Sequence, residues 1–137
     1  MDRPATRPQP SSGWCAERAR AIHPAMEDGL PERVKTVVRA LLGGEGKTAN
    51  EWREQILTST AGGASKPALP PELAAHVERV AHSAYKITDE SLKQLEAQGH
   101  DEDVIFEVTL AAALGAGLKR LRKGLAALRA SATGVTA

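Results

Sequence analysis

Leu114, Leu118, Leu121, Leu125 and Leu128 recur at spacings of 4, 3, 4 and 3, the rhythm of a narrow apolar seam on one helix. Leu73, Val77, Val80, Ala84 and Ile87 repeat the same rhythm. Nothing in the chain alternates with period two over a useful length, so the spacing predicts an all-α protein. Aromatic side chains are 3% of the 137 residues: Trp14, Trp52, Tyr85 and Phe106. A chain that is 42% hydrophobic and 26% charged must then build its core from Ala, Leu, Val and Ile, which favours closely packed helices in one domain of ordinary size.

Punctuation divides the chain. Pro4, Pro8, Pro10, Ser11-Ser12-Gly13, Pro24 and Gly29 mark residues 1–29 as an N-terminal arm expected to be flexible. Helices are expected over about 31–42, stopped by Gly43-Gly44, and about 49–59, opened by a capping box Thr48-Ala49-Asn50-Glu51. This pair, residues 30–60, is expected to be peripheral, set off by the linker 61–69 from a core over 70–130. The third helix starts at Pro70-Pro71-Glu72 and its seam runs to Ile87. Thr88 caps a fourth, about 89–98, closed by Gly99 as a left-handed residue; Asp101 caps the longest, about 102–129. Residues 131–137 are expected to be a disordered tail.

Composition excludes several functions. A net charge of +1, from 18 basic and 17 acidic residues, gives no nucleic-acid coat. The basic cluster Lys119, Arg120, Arg122, Lys123 and Arg129 has no stacking aromatic near it and complements the helix dipole. No apolar run approaches the length of a membrane span, and no apolar stretch follows the N-terminal arginines as a secretory signal would. The lone Cys15 excludes an intrachain disulfide; a cytoplasmic, reduced protein is expected. His23, His76, His82 and His100 form no His-x-x-x-His pair, so no metal and no cofactor are expected.

Two motifs carry apparent chemistry. Gly43-Gly44-Glu45-Gly46-Lys47-Thr48 imitates the end of a phosphate-binding loop, but Leu41 stands where its first glycine belongs and a helix precedes it, so a helix–helix turn is expected. Glu72 and His76, four apart, share a helix face: either a proton relay or a solvated pair. Farther on, Ala111-Ala112-Ala113-Leu114-Gly115-Ala116-Gly117 places small residues in mid-helix, predicting a neighbouring backbone packed against them, from this chain or another subunit.

Residues 69–75 (Leu-Pro-Pro-Glu-Leu-Ala-Ala), 84–90 (Ala-Tyr-Lys-Ile-Thr-Asp-Glu), 99–107 (Gly-His-Asp-Glu-Asp-Val-Ile-Phe-Glu) and 111–115 (Ala-Ala-Ala-Leu-Gly) together resemble the carboxymuconolactone decarboxylase family, which includes the alkylhydroperoxidase D-like proteins. The resemblance covers a little under half the chain. It implies an alkylhydroperoxidase D-like fold of about five helices with a long C-terminal helix, and homo-oligomers, trimers or hexamers. Peroxidase members carry Cys-x-x-Cys, a following His and an upstream Glu. By the resemblance, those positions correspond to Ala84, Ile87 and Ser91, with Glu72 as the retained carboxylate. The redox pair is absent, so dithiol peroxidase chemistry is not expected. Two expectations remain: acid–base chemistry on a small organic acid or lactone, with Glu72 and His76 as catalytic residues and His82, Tyr85, Ala84, Ile87 and Ser91 around the pocket; or an inactive oligomeric scaffold or partner-binding module. In the first, burial raises the Glu72 pKa toward that of a general acid.

Overall fold

A computed structural model of the protein describes residues 27–64 and 66–134. Within them the chain is all-helical. Five α-helices follow in order, α1 (Glu32–Gly43), α2 (Asn50–Thr60), α3 (Pro71–Ser83), α4 (Asp89–Ala97) and α5 (Glu102–Gly134), with one 3₁₀ turn, Ala84–Lys86, between α3 and α4. No described helix is long and apolar enough to cross a membrane. Cys15 and residues 1–26 of the expected arm lie outside the described residues. Its last three residues are held: Arg39 donates to both Glu27 carboxylate oxygens at 2.7 and 2.8 Å, and Gly29, at φ 73°, turns the chain so that Leu30 enters the core.

Helix α5 is the spine, and α2 and α3 pack on it most extensively. The α2 contact explains the small residues of α5. Ala111, Ala112, Gly115 and Ala116 are buried and form a shelf for the fully buried Ile56 and Leu57. At the crossing, a Cβ on Gly115 would stand 1.9 Å from Thr60 Oγ1 and 2.6 Å from the Leu57 carbonyl oxygen. At Gly115 the neighbouring backbone therefore comes from the same chain.

That packing corrects the expected division at the linker 61–69. Val38, Leu41 and Leu42 of α1 and Ile56 and Leu57 of α2 share one apolar cluster with Val77, Val80, Val108 and Leu118. The first two helices are part of the core, because α2 buries its isoleucine and leucine against α5. A second cluster, Leu73, Leu95 and Ile105 with half-buried Trp52, closes the end where α3, α4 and the start of α5 meet.

Three further expectations are corrected. The seam of α3 stops at Val80. Ser83 leaves helical geometry at φ −150°, and the 3₁₀ turn that follows exposes Ala84, while Ile87 returns half-buried against the core. Thr48 does not cap α2: Ala49 is the N-cap, with no side-chain hydrogen bond, and Thr48 is buried. The helix α5 continues to Gly134, so residues 131–134 of the expected tail are helical; 135–137 lie outside the described residues.

Candidate functional site

The α4–α5 junction follows from its sequence. Thr88 and Ser91 form a reciprocal capping box at the start of α4: Ser91 N–H donates to Thr88 Oγ1 at 3.2 Å and Thr88 N–H to Ser91 Oγ at 3.0 Å. At its end Gly99, at φ 96°, allows His100 N–H to reach the Leu95 carbonyl at 3.2 Å and Gly99 N–H the Glu96 carbonyl at 2.9 Å, a Schellman closure. Asp101 then caps α5 by accepting from Asp103 N–H at 2.9 Å. Two fixed helix ends therefore hold His100 between them.

His100 Nε2 donates to Glu72 Oε1 at 2.8 Å. Glu72 occupies the first turn of α3. Its own backbone amide, then the hydrogen bond to His100, holds its carboxyl below the usual glutamate value, against a smaller opposing effect of burial. That sign is opposite to the expected one: Glu72 is an ionised carboxylate and not a general acid, because at a helix N-terminus its donors outweigh its desolvation. Its place is to hold the imidazole.

His76 is not its partner. The ring is 3% exposed and turned toward α5, where Nε2 lies 2.7 Å from Thr109 Oγ1. Thr109 spends its own proton on the Ile105 carbonyl at 2.7 Å, so His76 is the donor. Desolvation, then the charge of Arg79, lowers its pKa below 6.5. A neutral buried imidazole contributes stability that is complete above about pH 6.5 and is lost as the pH falls toward its depressed folded value. His76→Gln keeps the donor and removes the titration. Urea titrations between about pH 7 and pH 5 should therefore show a shallower loss of stability in the variant than in the parent.

The other expected pocket residues do not gather around Glu72. His82 is exposed and 3.4 Å from Glu78 on its own helix. Tyr85 is 84% exposed, Ala84 is exposed, and Ser91 is committed to its capping box. His82 lies ten residues from Glu72, about 15 Å along the helix axis. Ile87 packs with the core.

A cleft of about 370 Å³ instead opens beside His100, lined by Lys47, Thr48, Ala49, Trp52, Gly99, His100, Asp101 and Val104. Lys47 Nζ meets Asp101 Oδ2 at 3.0 Å and Asp103 Oδ2 at 2.8 Å, and these two hydrogen bonds raise its pKa. The ammonium is thus neutralised by more than one carboxylate, and the rim is acidic. The last two amides of the glycine-rich turn are taken by α5 and not left for a phosphate. Lys47 N–H and Thr48 N–H donate to Glu107 Oε1 and Oε2 at 2.9 and 2.7 Å. A Cβ on Gly46 would lie 2.6 Å from this carboxylate and would push the Glu107 side chain aside.

Sequence reading missed His100, Lys47 and Glu107 as parts of one corner. Gly99 was the available signal, since a left-handed closure fixes the residue after it. Among the described residues no group of three His, Cys, Asp or Glu side chains could hold a metal ion. No family model, no curated protein and no solved structure matches this chain.

Proposed function

We propose that His100, held by Glu72, moves protons on a small neutral carbonyl compound of the lactone type bound in the Trp52 cleft. The observation that carries this reading is the 2.8 Å Glu72–His100 hydrogen bond, with His100 among the residues that line the cleft. A carboxylate that fixes an imidazole leaves the other ring nitrogen to accept a proton. Trp52 offers an apolar wall. Asp101 and Asp103 neutralise Lys47, and Glu72 adds a further negative charge at His100, which favours an uncharged ligand over a free organic acid. The resemblance to carboxymuconolactone decarboxylases agrees with acid–base work on a lactone. Carboxylate-assisted proton abstraction next to a carbonyl is the reaction class.

The test is deuterium exchange at the carbon next to the carbonyl of a butenolide in D₂O, followed by proton NMR. The chain should accelerate exchange above buffer. His100→Gln should abolish the acceleration, and Glu72→Gln should reduce it about tenfold or more. Exchange no faster than buffer, or equal in His100→Gln, removes the reading. The second reading, an oligomeric helical module without catalysis, draws on Ala84 and Ile87 at the positions where the resembled peroxidases carry thiols. A chain that fails the exchange test is left with that reading.

A further inference from the structure

Helix α5 carries a face that the described residues leave largely uncovered. Phe106, Leu110, Ala113, Gly117, Leu121, Gly124 and Leu128 follow one another at spacings of 4, 3, 4, 4, 3 and 4. At the turn of an α-helix they fall within a strip about 80° wide. Phe106 is 64% and Leu128 68% exposed; Leu110, Ala113, Gly117 and Gly124 are exposed, and Leu121 is half-buried with one side packed on the core of its own chain. Among the described residues of α5, none beyond Leu118 is buried. A helix arm of that length is marginal in water without a packed face.

We propose that two copies of this chain pair antiparallel along α5, about a twofold axis at Gly117. The inference is independent of the acid–base reading. The spacings read the same in both directions from Gly117, as an isologous contact requires. An antiparallel pairing centred there sets Leu110 against Gly124 and Ala113 against Leu121, large against small, with Phe106 against Leu128 at each end. Gly117 meets its own counterpart. The packing of the described residues requires neither Gly117 nor Gly124 to be glycine, because a Cβ on either would meet none of them within 4 Å. Gly115, two residues away, is filled from within. Small residues at the centre of the strip let two helix backbones approach.

Charge selects the direction. The start of α5 carries Glu102, Asp103 and Glu107, and its second half Lys119, Arg120, Lys123 and Arg129. In this register antiparallel pairing opposes the helix dipoles and brings Arg129 of one copy beside the acidic first turns of the other, whereas parallel pairing would align the dipoles and set acidic turn against acidic turn. The end position also has room. A cleft of about 420 Å³ between α1 and α5, with walls from Val37, Ala40, Phe106 and Leu110, is where the second copy would seat its Leu128 turn.

Sedimentation velocity on the full chain should give a dimer. Gly117→Glu, placed in open space of the single chain, should leave the circular-dichroism spectrum intact and weaken the dimer about a hundredfold. Direction is read by oxidation in a Cys15→Ser background. Gly117→Cys should cross-link to itself, and Phe106→Cys should cross-link to Leu128→Cys only when the two are mixed. A monomeric full chain overturns the proposal and leaves the face to residues 1–26 or another partner. An unaffected Gly117→Glu dimer, or Phe106→Cys cross-linking to itself, overturns it equally.

Discussion

Gly115→Ala is expected to destabilise the protein by about 2–3 kcal/mol, the cost of forcing volume into a filled core. The added carbon would stand 1.9 Å from Thr60 Oγ1 and 2.6 Å from the Leu57 carbonyl oxygen. The hydroxyl can be removed; the carbonyl belongs to the backbone of α2 and cannot. Thr60→Ala in the same chain should therefore restore only part of the loss, and a double-mutant cycle by chemical denaturation should show coupling between the two positions. Gly115→Val should not fold, since α2 would have to lift from the shelf that buries Ile56 and Leu57. A Gly115→Ala protein as stable as the parent would mean that α2 does not cross α5 at this residue.

Replacing Glu107 is the second large effect. Its carboxylate binds the amides of Lys47 and Thr48, and the Thr48 hydroxyl lies close enough to lower its pKa without being aligned for a hydrogen bond. Burial opposes ionisation, but those donors and the charge of Arg53 outweigh it, so the pKa falls below the usual 4.5. The stabilisation is therefore present above about pH 4.5 and is lost as the pH falls through the depressed folded value. Glu107→Gln presents an amide NH₂ where two N–H donors point and should cost about 2 kcal/mol at neutral pH. Hydrogen exchange at Lys47 and Thr48 should accelerate, and the stability difference between parent and variant should shrink in acid. A constant difference down to about pH 3 would place the worth of Glu107 in packing.

The same corner shows how Arg53 closes α1. The side chain is buried, donates to the Leu41 and Gly44 carbonyls at 2.9 and 2.7 Å, and also meets Asn50 Oδ1. A guanidinium from α2 thus satisfies carbonyls that a glycine closure would otherwise meet. Gly44 remains extended, at φ −71°. Gly43-Gly44 ends the helix, and Arg53 makes that ending affordable inside the core.

Helix content and several helix ends were legible in the amino-acid order because they depend on neighbours in sequence. Period-3.6 apolar spacing, the Thr88 and Asp101 caps and the Gly99 closure each act over fewer than about five residues. The small residues of α5 also declared a close neighbour, though not which one. Partners across the fold were not legible. Glu72 and His76 share a face at a spacing of four, yet each finds a better partner elsewhere, in His100, 28 residues away, and Thr109, 33 residues away. Thr48 reads as a cap, yet the carboxylate that meets its amide comes from Glu107, 59 residues away. An intrahelical pair is a weak attraction at a solvated surface, and a buried hydrogen bond between helices outweighs it. Local spacing fixed which segments are helices; only their packing decided which polar groups meet, because satisfying a buried donor or acceptor depends on distance in space and not along the chain.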